Sequence, residues 1–238
     1  MSQYPYQSQP AWISSATADA QTRVRAFIRS VYGWMFGGLL LTALASLWVV
    51  ASRPMQQLIF GNRAMAWVLF IAEIGLVMFL SFRITKMSAG AAAASFLVFS
   101  LLNGLSLSAI FFVYTASSIV TAFVSAAGMF GVMGLYGAMT KRDLTSWGQF
   151  FFMGLIGIVL ASLVNIFFHS SALSMTISIL GVFIFLGLTA WDQQKLRSLA
   201  LAAGPTENYA VIGALALYLD FINLFLFLLR IFGGSRRS

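Results

Sequence analysis

The sequence contains no cysteine, a single histidine and only six acidic residues among its 238 positions. Without cysteine, disulfides, cysteine metal sites and thiol catalysis are excluded. His169, in the turn FFHSS, has no companion ligands and cannot form a zinc site. We interpret it as a loop histidine that contacts water or a carbonyl group. Charged residues make up 8% of the chain, against about 25% in soluble domains, so an ordinary soluble domain is excluded as well.

Long apolar runs stand where charge is missing. Hydrophobic residues make up 60% of the chain, and apolar runs of about twenty residues recur, which is the length that crosses a hydrocarbon core of ~30 Å. The runs are continuous instead of alternating with period two, which disfavours a β-barrel. The sequence therefore predicts an all-α polytopic membrane protein with seven transmembrane helices. The predicted spans are 31–51, 64–84, 89–114, 118–139, 149–168, 172–192 and 209–231.

The basic residues, which give the chain a net charge of +8, are dispersed over short loops. Nucleic-acid-binding proteins gather such charges on one surface. We therefore expect no nucleic-acid partner, and composition instead predicts the lipid bilayer as partner. If the N-terminus is cytoplasmic, nine Lys or Arg residues lie on the cytoplasmic side and five on the opposite side. The positive-inside rule therefore favours a cytoplasmic N-terminus and a periplasmic or extracellular C-terminus.

The first 22 residues differ from the rest of the chain, because they are polar and rich in Gln, Ser, Tyr and Pro. This composition predicts a disordered tail, followed by a membrane domain over residues 23–235. The segment 23–29 alternates basic and apolar residues, as interfacial anchors do. The tail lacks the charged and apolar regions of a signal peptide. With no organelle-targeting segment, a bacterial inner (plasma) membrane is the simplest location.

Several small or polar residues within the spans indicate helix packing. Six glycines in the fourth and fifth spans favour close approach between helices. Asn103, Ser106 and Ser108 in the third span can either hydrogen-bond across helices or line a wet cavity, and we favour interhelical bonds. The six glycines are at positions 128, 131, 134, 137, 154 and 157.

Five charged residues lie within the spans or at their ends, where loops do not account for them. Glu73 is about 13 Å from the outer end of the second span, and Asp220 is about 16 Å from the inner end of the seventh. Asp192 and Arg83 are at similar depth near the inner face, whereas Arg230 is near the outer end of the seventh span. An ionised carboxylate at the centre of a bilayer costs several kcal/mol. Asp192 and Asp220 are therefore the leading candidates for function.

The two aspartates meet only if the sixth helix extends past residue 192, or if the seventh helix tilts or starts late. In contact, the two carboxyl groups cannot both ionise without a large energetic cost. They therefore share one proton, and the pair responds to pH. Once ionised, the pair needs a cation, which is either Arg83 or a hard metal ion such as Ca²⁺. Competition between those cations for Asp192 would make a gate. The alternative is a static Arg83–Asp192 ion pair that only orients helices.

Four stretches of the chain carry a family pattern. They are NGLSLSAIFFVYT (103–115), GLIGIVLASLVNIFFHSSAL (154–173), GLTAWDQQKL (187–196) and ALALYLDFINLFLFLLRIFG (214–233). They resemble the bacterial branch of the Bax inhibitor-1 family, also called the transmembrane Bax inhibitor motif family, and the resemblance covers residues 20–235. Trp191 departs from it, because the family has Ala-Tyr-Asp there. The glycine-proline signature of eukaryotic members is missing.

The resemblance implies six helices around a central seventh, and a pH-sensitive calcium leak controlled by a di-aspartyl pair. It assigns the proton sensor and ion site to Asp192 and Asp220. It matches Arg83 with an arginine that latches the first aspartate, and Glu73 with Arg230 as a second latch. Ca²⁺ and protons would be the transported or sensed ions, and no cofactor is implied.

Other functions fit the residues less well. Aspartyl intramembrane proteases need Gly-x-Gly-Asp, whereas the contexts here are LTAWD and LYLD. Serine intramembrane proteases need Gly-x-Ser-Gly, which GLSL (104–107) lacks, and no lysine in the seventh span could hold retinal. We therefore expect no enzymatic activity. The remaining alternative is a modulator of a membrane protease, with the polar tail as its handle and the aspartates as structural residues.

Overall fold

A computed structural model describes residues 11–83, 86–202 and 207–233 of the chain. The described residues form nine α-helices and no strand. Seven helical segments are long and apolar enough to cross a membrane, which confirms the predicted all-α class with seven spans. The helices are α1 (Ala11–Ala51), α2 (Arg53–Phe60), α3 (Arg63–Arg83), α4 (Ala89–Leu107), α5 (Ile110–Val113), α6 (Ala116–Met139), α7 (Thr145–Phe168), α8 (Ser171–Ala202) and α9 (Glu207–Phe232).

Two of the spans after the first differ clearly from the boundaries that the sequence predicts. The third span is broken after Leu107 into α4 and the one-turn α5, at a point where Ser108 Oγ bonds back to the Leu105 carbonyl at 2.6 Å. Such local bonds compete with the regular ladder and favour a break. The sixth span does not end at Asp192 but continues as α8 to Ala202. Asp192 is therefore an interior residue of a helix.

The N-terminal segment is helical where the sequence predicts a disordered tail. Residues 11–22 belong to α1, and four of these twelve positions are alanine, the strongest helix former. The other part of the predicted tail, residues 1–10, lies outside the described residues.

The last helix, α9, is the most buried span. In its most apolar stretch 67% of the residues are buried, against 44% for α8 and 33% or less for the other spans. Its main neighbours are α1, α4, α6 and α8. Apolar residues occur all round α9, which is the pattern of a helix buried by other helices. The arrangement of six helices around a central seventh stays a prediction, since α3 and α7 are not among the main neighbours of α9.

Three glycines allow close packing of helices around α8 and α1. A Cβ at Gly137 would lie 2.1 Å from the Ala190 carbonyl oxygen, so α6 and α8 touch through their backbones. A Cβ at Gly104 would lie 2.5 Å from the Thr42 carbonyl oxygen, where α4 meets α1. At Gly148 it would overlap the Trp191 ring. Of the six glycines predicted to pack helices, those at 128, 131 and 157 have no neighbour within 4 Å of an added Cβ.

Candidate functional site

Asp220 lies in the middle of α9 with its side chain inside the helix bundle. The residue is 5% exposed, because it lies on the most buried helix of the fold. Its Oδ2 atom has no hydrogen-bond partner within the part of the chain that the structure describes. A buried polar atom without a partner costs free energy, and an ionised one costs far more. Asp220 is therefore an energetically expensive residue that packing does not explain.

Thr189 of α8 lies against the Asp220 carboxyl group. This side chain is fully buried, and its Oγ1 donates to the Phe185 carbonyl on its own helix at 2.7 Å. The Thr189 hydroxyl therefore lies between the Phe185 carbonyl and Asp220, and it can donate its one proton to only one of them at a time. It can also accept a hydrogen bond from a protonated Asp220.

Asp192 lies one helical turn beyond Thr189 on the same face of α8. Three residues separate them, which is about 4.5 Å along the axis. Asp192 interacts electrostatically with Asp220 across the α8–α9 contact, and no hydrogen bond joins the two carboxylates among the described residues. Asp192 is partly exposed, whereas Asp220 is buried. The extension of α8 past residue 192 therefore removes the depth mismatch that the sequence leaves open.

The cation beside Asp192 is Lys195, one turn further along α8. Lys195 interacts electrostatically with Asp192, and its Nζ lies 5.1 Å from the centroid of the Trp191 ring. Arg83 is exposed at the last position of α3 and forms no ion pair with a described residue. The predicted Arg83–Asp192 latch is therefore absent from this structure. Lys195 could have been predicted from the sequence, because a residue three positions after Asp192 lies on the same face of the helix.

Polar side chains fix the Asp192 end of α8 to the neighbouring helices. Gln194 accepts from the Leu144 backbone N–H at 2.8 Å and donates to the Arg142 carbonyl at 2.8 Å. The buried Gln193 accepts from the Tyr32 hydroxyl of α1 at 3.1 Å. These bonds hold the partly exposed Asp192 at a defined position relative to α1 and the α6–α7 loop.

Apolar side chains close the path from Asp220 to the other end of α9. Phe221, Leu224, Phe225 and Leu228 follow Asp220 along α9 and are each 5% exposed or less. The Phe221 ring packs edge-on against an α6 phenylalanine, Phe130, at 5.6 Å between centroids. Apolar constrictions of this kind stop ions by excluding water. Asp192 is therefore the partly exposed member of the pair, and buried apolar side chains follow Asp220 toward the Arg230 end of α9.

Glu73 belongs to a second polar cluster, between α3, α4 and α9. It is half-buried and accepts a short hydrogen bond of 2.5 Å from Ser106 Oγ of α4. The Asn103 side chain lies beside the Glu73 carboxyl group. Asn103 Oδ1 accepts from the Tyr218 hydroxyl of α9 at 3.1 Å. The predicted interhelical bonding of Asn103 and Ser106 is thereby confirmed, whereas Ser108 bonds within its own segment.

Tyr218 connects this cluster to α1. It is fully buried, and its hydroxyl lies 2.6 Å from Thr42 Oγ1, which in turn donates to the Ser100 carbonyl at 2.8 Å. Tyr218 and Asp220 are two residues apart, so they point to different sides of α9. The two buried acids therefore belong to separate polar sites.

Arg230 lies away from Glu73, and the second predicted latch is absent from this structure. The Arg230 guanidinium carbon is 5.9 Å from the Phe227 ring centroid, and the side chain lines a cavity against α7 and α8. No ion pair joins Arg230 to Glu73 among the described residues. Ten residues of α9, about 15 Å, separate Arg230 from Asp220.

The carboxylates provide too few ligands for a resident metal ion. No group of three or more His, Cys, Asp or Glu residues is close enough to bind a metal in the described part of the chain. Ca²⁺ takes about six to eight oxygen ligands.

Comparison with known proteins identifies relatives over almost the whole chain. The family model Bax1-I, described as "Inhibitor of apoptosis-promoting Bax1", matches residues 24–237. "Inner membrane protein YbhL" of Escherichia coli K12 is 49% identical over 228 residues, which cover 94% of this chain and 97% of that protein. Relatives in Deinococcus radiodurans and Rickettsia prowazekii, both named only as uncharacterized proteins, are 44% and 40% identical. They match 90% of this chain, and the matches span 92% and 91% of the relatives. The chain belongs to the Bax inhibitor-1 family.

Proposed function

We propose that this protein is a pH-regulated cation leak of the bacterial inner membrane, with Ca²⁺ as its permeant ion. The observation that supports it most strongly is Asp220, a buried carboxyl group whose Oδ2 atom has no partner among the described residues and which interacts with Asp192. Two interacting acids inside the bundle raise the free energy of the folded protein unless a proton or a cation binds to them.

The proton and the cation compete for the same oxygens. With the pair protonated, Asp220 is neutral, donates to an acceptor such as Thr189 Oγ1, and offers little to a cation. With both acids ionised, the pair carries two negative charges in a low-dielectric site and attracts a divalent ion. Lys195, the cation that interacts with Asp192, competes with that ion.

Passage across the membrane also requires movement of the apolar seal. Phe221 and Leu224 fill the bundle directly beyond Asp220. Because these residues and Asp220 are on the same helix, a shift of α9 that follows a change in charge at Asp220 would move acid and seal together. This coupling would explain why a proton sensor lies on the most buried helix.

The inner-membrane location is supported by a relative. The Escherichia coli protein named "Inner membrane protein YbhL" shares 49% of its residues with this chain across nearly the full length of both. Seven spans predict an odd number of crossings, and the distribution of basic residues favours a cytoplasmic N-terminus.

The test is Ca²⁺ flux into liposomes that hold the purified full-length protein, measured from pH 6 to pH 8. We expect wild-type flux to change with pH, and Asp192→Asn and Asp220→Asn to lose that dependence. Asp143→Asn is the matched control. Asp143 is exposed in the α6–α7 loop, where it accepts from the Thr145 backbone N–H at 2.9 Å.

Two outcomes would overturn the proposal. Either no variant conducts above empty liposomes, or wild type and both asparagine variants conduct alike at every pH. A protein that does not conduct but retains a membrane protease through residues 1–22 would favour the modulator instead.

A further inference from the structure

A polar cavity lies at the end of the bundle opposite the Asp192 side. It has a volume of about 650 Å³ and lies between α7, α8, the end of α9 and the α5–α6 turn. This is within the range of about 300–1,000 Å³ found for small-molecule sites. Its polar lining includes Tyr114, Ser162, Asn165, Ser171, Ser174 and Arg230. So many polar groups are unusual on helices that otherwise present apolar side chains to lipid.

Arg230 gives the cavity a positive charge that no nearby acid neutralises. The side chain is exposed and forms no ion pair with a described residue. The chain has six acidic residues, and the nearest one along α9 is Asp220, about 15 Å away. In sequence, Arg236 and Arg237 follow within seven positions. An unpaired guanidinium with this charge balance favours an anion.

The other groups around the cavity are mostly hydrogen-bond donors. Ser174 Oγ accepts from the Asn165 amide at 2.7 Å, which leaves its own proton available to a ligand. The Ser162 and Ser171 hydroxyls have no partner within the described residues. Ser171 is also the first residue of the 32-residue α8, and the start of a helix adds a positive dipole end, although Ser170 Oγ already accepts from the Leu173 N–H.

The depth of Arg230 in the membrane indicates the source of the anion. Arg230 is two residues before the end of α9, which places its guanidinium at the level of lipid headgroups instead of the hydrocarbon core. Planar guanidinium groups bind phosphate oxygens through paired hydrogen bonds. We propose that this cavity binds a phosphate group, supplied by the headgroup of an anionic phospholipid or by free phosphate, with Arg230 as its principal ligand.

The test measures retention of phosphatidylglycerol by the full-length protein in detergent, using native mass spectrometry across a lipid titration. We expect Arg230→Gln to weaken retention about tenfold, and Arg230→Lys to weaken it less because the charge remains. Ser162→Leu should block the cavity while Arg230 stays in place. Arg63→Gln is the matched control, since Arg63 is exposed at the same end of the bundle on α3.

Separate arms distinguish the two sources of phosphate. Retention of phosphatidylglycerol that depends on Arg230 and persists in excess inorganic phosphate supports the lipid. Displacement of the lipid by inorganic phosphate in wild type supports the same site with a soluble ligand. The proposal is overturned if Arg63→Gln weakens retention as much as Arg230→Gln, or if neither Arg230→Gln nor Ser162→Leu changes the binding of either probe.

Discussion

Thr189 of α8 lies against the carboxyl group of Asp220 on α9, yet it donates its only hydroxyl proton to the Phe185 carbonyl at 2.7 Å. Asp220 therefore competes with a backbone carbonyl for that one proton, and its Oδ2 atom has no partner among the described residues. A stabilising role would require donors around the acid, as Glu73 has in Ser106. The two buried acids therefore differ in their hydrogen bonds: Glu73 belongs to an interhelical network, whereas Asp220 has an oxygen without a partner among the described residues.

Replacing Asp220 with leucine, which has the same branched shape, should stabilise the protein. The substitution removes a buried polar atom that lacks a partner, and such atoms cost about 1–3 kcal/mol. The measurement is the thermal unfolding midpoint in detergent, which we expect to rise. A midpoint below that of wild type would mean that Asp220 makes a stabilising contact.

Replacing Tyr218 with phenylalanine should have the opposite effect. The Tyr218 hydroxyl bonds to Asn103 and contacts Thr42, and its loss leaves buried partners unsatisfied, at a cost of about 1–3 kcal/mol. The unfolding midpoint should therefore fall, while the pH dependence of flux is retained because Tyr218 and Asp220 lie on different sides of α9. Loss of that pH dependence would show that the two polar sites are coupled.

Opening the apolar seal should increase flux. Phe221→Ala removes a ring that packs against Phe130, at a cost of about 3–5 kcal/mol in stability, and leaves room for water beyond Asp220. We expect Ca²⁺ flux several-fold above wild type at every pH. Phe183→Ala is the control, because Phe183 is 64% exposed on the lipid side of α8. Equal flux in both variants would place the constriction elsewhere.

Lys195 and Arg83 can be distinguished as competitors for Asp192. Lys195 interacts electrostatically with Asp192, so Lys195→Gln should change the midpoint of the flux-against-pH curve. Arg83→Gln should leave it unchanged, because Arg83 contacts neither aspartate. A shift with Arg83→Gln alone would show that the arginine latch forms in another state of the protein.

The sequence predicted the spans well and the contacts of the charges less well. A continuous apolar run of about twenty residues in a bilayer forms a transmembrane helix, so all seven spans could be located. The end of α8 could not, since WDQQKLRSL combines polarity with good helix formers, and only packing against α6 and α9 decides its length. Residues 11–22 are polar in composition but belong to α1, and their four alanines favour a helix.

The partners of the site residues depend on rotation about helix axes, which composition does not encode. Arg83 and Asp192 share a depth, but Arg83 is exposed at the end of α3. Glu73 and Arg230 belong to helices whose contacting faces are elsewhere. Thr189 and Lys195 could have been found, because positions three residues from Asp192 share its face of a helix.

The central claim is that protons and Ca²⁺ compete for Asp192 and Asp220. Infrared difference spectroscopy of the protein in liposomes, recorded with and without Ca²⁺ across the pH range, measures this directly. We predict that Ca²⁺ removes the absorption of a protonated carboxyl group in wild type and in Asp143→Asn, and that this change is absent in Asp192→Asn and Asp220→Asn. A carboxyl absorption that Ca²⁺ leaves unchanged at every pH, or a change that persists in both asparagine variants, would contradict it.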